Sequence, residues 1–191
     1  MSNFNILFAG FGGQGILFAG KVMAYAGLID GKEVSWLPSY GPEMRGGTAN
    51  CSVCISEEPV GYPRVTAPDV LVAMNGPSYE KFIGSVVPGA KVFVDSSLVQ
   101  CTGGKIDGNV TVCCVPASKL SREEHLEGMG NMILLGKVLA ETGIASLETV
   151  KKAMEKCVSA SKAHLIKDNL RAVELGFHYK TDEKAPHRAA S

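Results

Sequence analysis

Phe4-Asn5-Ile6-Leu7-Phe8-Ala9-Gly10-Phe11-Gly12-Gly13-Gln14-Gly15 joins an apolar run to a glycine turn. Ile16, Leu17, Ala19, Gly20, Val22, Met23 and Ala26 then recur with helical spacing, up to Gly27. A strand, a tight turn and a helix in that order are the opening unit of an α/β fold. Such a unit presents backbone N–H groups at a helix N-terminus, where the macrodipole favours an anion. Glycine suits the turn because it accepts φ > 0 and has no Cβ to keep a phosphate or a partner chain away. Gly10, Gly12 and Gly15 have the spacing of the dinucleotide fingerprint, but the same glycines also fit a βα turn that binds nothing.

A dinucleotide site makes a second demand. It needs an acidic residue at the end of the second strand to hold the ribose hydroxyls. Here that strand reads Lys32-Glu33-Val34-Ser35-Trp36-Leu37 and ends at Pro38-Ser39. Glu33 stands at its beginning, and Asp30 precedes it in the turn Asp30-Gly31. The pattern therefore argues against a conventional NAD site.

Next comes Ser39-Tyr40-Gly41-Pro42-Glu43-Met44-Arg45-Gly46-Gly47-Thr48. Its three glycines and one proline oppose regular structure and predict a loop at the carboxyl end of a strand. It offers a hydroxyl, a phenol, a carboxylate and a guanidinium, followed by Gly46-Gly47 backbone suited to an anion nest. Arg45 supplies a planar donor fork for carboxylate or phosphate. Solvation of Glu43 and Arg45, or their mutual pairing, is the bland alternative.

The two loops together resemble the gamma subunit of 2-oxoacid:ferredoxin oxidoreductases, in wording closest to the 2-oxoglutarate and branched-chain 2-oxoacid enzymes. Pro68-Asp69-Val70-Leu71-Val72-Ala73-Met74-Asn75 and Asn131-Met132-Ile133-Leu134-Leu135-Gly136 agree with it. The likeness covers all but the last dozen or so residues. It implies a complex that converts a 2-oxoacid, foremost 2-oxoglutarate, and coenzyme A to acyl-CoA and carbon dioxide while reducing ferredoxin. By the same resemblance, thiamine diphosphate lies between alpha and beta chains, and iron–sulfur clusters sit on beta and delta chains. The gamma chain would support assembly with these alpha, beta and delta partners and help enclose coenzyme A, holding no cofactor alone. The candidate binding residues are Gly12, Gly13, Gln14, Gly15, Ser39, Tyr40, Glu43, Arg45, Gly46, Gly47 and Asn75. A stand-alone nucleotide-binding oxidoreductase and a non-catalytic docking scaffold are the competing readings. For Asn75, a helix cap competes with ligand contact.

A chain of 191 residues, 46% hydrophobic and 20% charged, fits one globular domain with a substantial core. We expect that domain to cover residues 1–179, with 180–191 a disordered polar tail. Zero formal net charge and no basic stripe argue against nucleic acid, and no apolar run is long enough for a membrane span. Met1-Ser2-Asn3 leads straight into the first strand without a signal-peptide pattern, so the expected location is cytoplasmic. Cys51 and Cys54, three apart on a predicted strand, point to opposite faces and cannot share a metal. The adjacent Cys113 and Cys114 diverge likewise, and Cys101 and Cys157 stand alone. In a reducing compartment most of the six cysteines read as small buried residues. No four-cysteine cluster run, metal-spaced histidines or catalytic nucleophile constellation is visible, so no catalytic or metal residue is assigned.

The remaining segments predict a mainly parallel, Rossmann-like sheet with flanking helices and a helical C-terminal third. Strands are expected at 48–56, 70–74, 91–95 and 110–115, and a proline-bearing connection with a short edge piece at 59–68. Pro77 starts a helix running to about Ile83. Ser121-Arg122-Glu123-Glu124 has capping-box spacing and predicts a helix start. Met132 to Leu139 form a stripe ending at Gly143, Ser146 caps the next helix, and the last ends at a Gly176-Phe177 stop. Glycine turn, motif loop, Asn75 and the Asp95-Ser96-Ser97 turn would then converge on the carboxyl edge of the sheet, where ligands gather in such folds.

Overall fold

The computed structural model describes residues 3–39, 49–101 and 103–180. The strands are β1 (Phe4–Gly10), β2 (Glu33–Ser39), β3 (Ala49–Ser56), β4 (Val70–Ala73), β5 (Lys91–Asp95), β6 (Gly104–Ile106) and β7 (Val110–Val115). The helices are α1 (Ile16–Ile29), α2 (Gly76–Ile83), α3 (Ala117–Glu123), α4 (Gly130–Thr142), α5 (Leu147–Cys157) and α6 (Ile166–His178). All seven strands form one sheet in the order β2-β3-β1-β4-β5-β7-β6. β1, β4, β5 and β7 run parallel as its centre, while β3 and β6 pair antiparallel with their neighbours. The fold is α/β with a mixed sheet, and β2 points the same way as β1 across the reversed β3.

Burial follows from that position. All of β4, Val70–Ala73, is buried because both faces are covered. On one face Ile6, Phe8, Val72 and Phe93 pack under α1, α4, α5 and α6 in the larger core. On the other, Leu7, Leu71, Val92 and Val94 are covered by Tyr79, Phe82 and Ile83 of α2 and by Val60 and Val65. Cys51 faces the first core and Cys54 the second, as their spacing requires. The proline-bearing connection forms no strand; it lies over β3, with Val65 N donating to Ser52 Oγ at 3.0 Å.

Several boundaries differ from the sequence reading. β2 does end at Ser39, and its Pro38 is tolerated because this edge strand pairs only with β3. A short strand, β6, forms between β5 and β7, where the sequence pattern places no strand. β6 returns antiparallel along β7, and the register Gly104↔Val112 brings Cys101 beside Cys114. The two form a disulfide with Cα atoms 6.4 Å apart, so Cys101 does not stand alone. α3 begins at Ala117, which puts Ser121 inside the helix. Its hydroxyl donates to the Leu126 carbonyl instead of capping a helix start.

Gly176 is not a helix stop either; α6 continues to His178. A Cβ on Gly176 would stand 1.8 Å from the Ile133 carbonyl oxygen, and one on Gly136 1.9 Å from that of Val173. These glycines let the backbones of α4 and α6 touch. Gly143 does end α4, at φ 65°, and Ser146 Oγ caps α5 by accepting from Thr149 N at 3.0 Å. Lys137 of α4, nearly buried, donates to the Tyr179 carbonyl at 3.0 Å and pairs with Glu141 at 2.6 Å.

Candidate functional site

The chain leaves β1 and passes through α1 to β2 on one side, then returns through β3 to β4 on the other. α1 and α2 lie on opposite faces of the sheet, so the connections diverge between the carboxyl ends of β1 and β4. That topological switch point is where open α/β sheets take their ligands.

Here it is filled by the chain's own side chains. Gln14 Oε1 accepts from Phe11 N at 2.7 Å and from Asn75 Nδ2 at 2.9 Å, while its Nε2 donates to the Met74 carbonyl at 3.2 Å. Asn75 Oδ1 caps α2 by accepting from Ser78 N at 2.8 Å. A Cβ on Gly10 would lie 2.8 Å from Gln14 Oε1 and 3.3 Å from Met74 Cβ, so glycine there allows this closure. Asn75 is buried and both ends of its amide are engaged. The structure makes it a helix cap and a buttress of the turn.

The glycine turn therefore opens the other way. Gly13 has φ 90° and Gly15 φ 73°, conformations that favour glycine. Gly12 and Gly13 are exposed, with nothing within 4 Å of where a Cβ would stand. Among the described residues, the N–H groups of Gly12, Gly13, Ile16 and Leu17 have no backbone or side-chain acceptor. They border a cleft of about 330 Å³ lined by Phe11, Gly12, Gly13, Leu17, Phe18 and Ala49. Unpaired N–H groups at a helix N-terminus beside an aromatic wall can receive an anion attached to an apolar body.

Register brings the second motif to the same place. Gly10 pairs with Ala49, and Ser39 with Asn50, so the loop between β2 and β3 starts and ends at the cleft. Ser39 is partly exposed at the end of β2. Tyr40, Glu43, Arg45, Gly46 and Gly47 lie outside the described residues. The Asp95-Ser96-Ser97 turn, on the same sheet edge, opens into a separate cleft of about 630 Å³ with Tyr79 and Cys101 on its wall. Asp95 is itself a buried staple, accepting from Ser97 N at 3.0 Å, Ser118 N at 3.1 Å and the Ser118 hydroxyl. The glycine turn and the Asp95-Ser96-Ser97 turn thus open into two separate clefts.

One contributor has no counterpart among the expected site residues. Asn131, in the first turn of α4, donates its Nδ2 to the Gly15 carbonyl at 2.9 Å. A Cβ on Gly15 would meet that nitrogen at 2.4 Å. In the sequence Asn131 stands at the head of the apolar stripe Met132 to Leu139, in a segment that carries the resemblance but marks no site. Beneath the cleft, burial pushes the Cys51 thiol up to about 12, outweighing a hydrogen bond from Trp36 that lowers it. That sulfur stays protonated and serves packing, touching the bare Cα of Gly20. Among the described residues no group of His, Cys, Asp and Glu could hold a metal ion, and no helix is long and apolar enough to cross a membrane.

Residues 5–179 match the family model described as pyruvate ferredoxin/flavodoxin oxidoreductase. The chain belongs to that family. The ketoisovalerate oxidoreductase subunit VorA of Methanothermobacter thermautotrophicus is 41% identical over 88% of this chain, which spans 34% of VorA. The first curated relatives are thus about three times as long as the part this chain matches. Among solved structures, the keto/oxoacid ferredoxin oxidoreductase gamma subunit of Geobacter sulfurreducens has a TM-score of 0.76 and 30% identity. That match covers 91% of this chain and 96% of the other. The 2-oxoglutarate:ferredoxin oxidoreductase of Magnetococcus marinus, with 2-oxoglutarate, coenzyme A and succinyl-CoA bound, has a TM-score of 0.80 and 27% identity. It covers 93% of this chain and 31% of that one. The family chain is therefore found both as a separate gamma subunit and as about a third of a longer polypeptide.

Proposed function

We propose that this chain is the gamma-type component of a cytoplasmic 2-oxoacid:ferredoxin oxidoreductase and that its glycine-turn cleft receives part of coenzyme A. The observation that carries the reading is the exposed turn Gly12–Gly13, whose N–H groups are unpaired among the described residues and which has no acidic ribose anchor at the end of β2. An anion-friendly helix start without that anchor suits a phosphate-bearing ligand other than NAD. The residues present fit coenzyme A: Gly12 and Gly13 leave room for an anion, and Phe11, Leu17 and Phe18 offer apolar contact to the rest. Arg45 and the Gly46-Gly47 backbone, in the loop returning at Ala49, would supply further phosphate contacts.

Thiamine diphosphate and iron–sulfur chemistry belong, on this reading, to alpha, beta and delta partners, which pass electrons to ferredoxin. The gamma-type unit occupies residues 1–179. Among 2-oxoacids we favour 2-oxoglutarate, on the likeness to the Magnetococcus marinus enzyme over 93% of the chain. Ketoisovalerate is the second reading, favoured by the 41% identity to VorA. The test is made on the complex co-purified from its native host. With both acids compared by kcat/KM, Gly13→Val and Arg45→Ala should raise the KM for coenzyme A on the order of tenfold or more. Unchanged coenzyme A kinetics in both variants would remove the assignment. Micromolar NAD affinity of the chain, abolished by Gly13→Val, would turn it into a dehydrogenase reading.

A further inference from the structure

We propose that Gln14, Asn75 and Asn131 act as a positioning clamp that holds the glycine turn open toward its cleft, so that ligand affinity is set by three amides facing away from the ligand. The inference rests on the reading of that cleft as an anion site. The turn has little of its own to hold this shape: it contains four glycines between positions 10 and 15, and Gly12 and Gly13 have no described atom within 4 Å of where a Cβ would stand. Internally it has one backbone bond, Gln14 N to the Phe11 carbonyl at 3.2 Å. Phe11 N also donates to Gln14 Oε1 at 2.7 Å, and among the described residues the remaining side-chain restraints come from distant elements. Gln14 ties it to the end of β4 through the Met74 carbonyl and to Asn75, and Asn131 ties the Gly15 carbonyl to the head of α4. Freezing the turn in the folded protein removes an ordering cost that binding would otherwise bear.

Asn75 has two separable duties. Its Oδ1 caps α2, and its Nδ2 holds Gln14. Asn75→Asp keeps the cap, since a carboxylate also accepts from Ser78 N, but sets an oxygen against Gln14 Oε1. Gln14 could answer only by turning its amide over. That would break its bonds to Phe11 N and the Met74 carbonyl. A purely structural residue would lose fold stability when changed; this one should lose control of the turn while α2 stays formed.

The experiment uses Asn75→Asp, Gln14→Ala and, in parallel, Gly13→Val. Amide hydrogen exchange is read on the full chain, and the KM for coenzyme A, the KM for the 2-oxoacid and kcat on the complex. For the two clamp variants we expect exchange of the hydrogen-bonded amides at positions 11 and 14 to speed up on the order of tenfold, with residues 78–83 unchanged. The KM for coenzyme A should rise on the order of tenfold, with kcat and the 2-oxoacid KM within about twofold. Unchanged exchange at positions 11 and 14 in both variants overturns the clamp. Faster exchange with unchanged coenzyme A KM, while Gly13→Val raises it, overturns the clamp's control of affinity and leaves the site reading standing. If Gly13→Val is also without effect, the coenzyme A reading falls and the affinity half of this proposal falls with it, the exchange data still deciding the clamp.

Discussion

Gly176→Ala places a methyl group 1.8 Å from the Ile133 carbonyl oxygen, a rigid backbone atom of a helix whose Met132 to Leu135 segment is fully buried. To restore van der Waals distance, α4 and α6 must part by roughly 1.5 Å, and a gap even half that size forfeits a quarter or more of each dispersion contact across the seam. Overpacking of this kind costs about 1–3 kcal/mol, and a backbone obstacle belongs at the upper end. Against it stands the better helix propensity of alanine, about 1 kcal/mol. The expected net loss is therefore about 2 kcal/mol, or roughly a 1 M lower urea midpoint for a slope near 2 kcal/mol/M. Trp36, the chain's single tryptophan, gives the fluorescence signal, with circular dichroism as the second probe. Gly136→Ala should behave similarly, since its Cβ would stand 1.9 Å from the Val173 carbonyl. Both substitutions demand the same separation, so the double variant should cost less than the sum by more than about 1 kcal/mol. Wild-type stability in Gly176→Ala, or strict additivity in the pair, would refute the close-contact reasoning.

Burial raises Cys51 from 9.0 to about 12, so the folded chain keeps a proton that the unfolded chain releases. Its contribution is intact below pH 9 and is lost as pH rises from there toward 12; stability should fall over that window and fall less steeply in Cys51→Ala, compared by urea midpoints at about pH 8 and about pH 10.5. Asp95→Ala strips acceptors from Ser97 N, Ser118 N and the Ser118 hydroxyl in a buried place, at an expected cost of about 3 kcal/mol. Asp95→Asn, which retains one acceptor oxygen, should lose visibly less in thermal denaturation, and a loss below about 1 kcal/mol in the alanine variant would contradict the staple.

Much of the fold was legible because apolar runs and turn residues agree along the chain: β5, β7 and the cap at Ser146 fall where the pattern puts them. The failures share a cause, that one local signal serves two structures. Glycine before an apolar residue marks both a helix end and a close helix crossing, and only the distance to α4 tells which applies at Gly176. Ser-x-x-Glu occurs inside helices as well as at their starts, and at Ser121 the helix had already begun. At the site, the strand–turn–helix order exposed the glycine turn and its edge. The contact from Gln14 to Asn75 crosses 61 residues and that from Gly15 to Asn131 crosses 116, distances at which no periodicity carries information.

The Ser39↔Asn50 pairing at the mouth of the cleft has a consequence for how the family can diversify. Because the sheet register fixes where the chain departs and where it comes back, whatever lies between is an insert mounted on a rigid frame. Doubling the length of such an insert adds only about 0.6 kcal/mol of closure entropy. On the proposed coenzyme A reading, rewriting residues 40–48 would alter what the cleft accepts while β1, β3 and the helices beneath keep their packing. Grafting that stretch between relatives of different substrate preference should transfer chemistry without asking the core to refold.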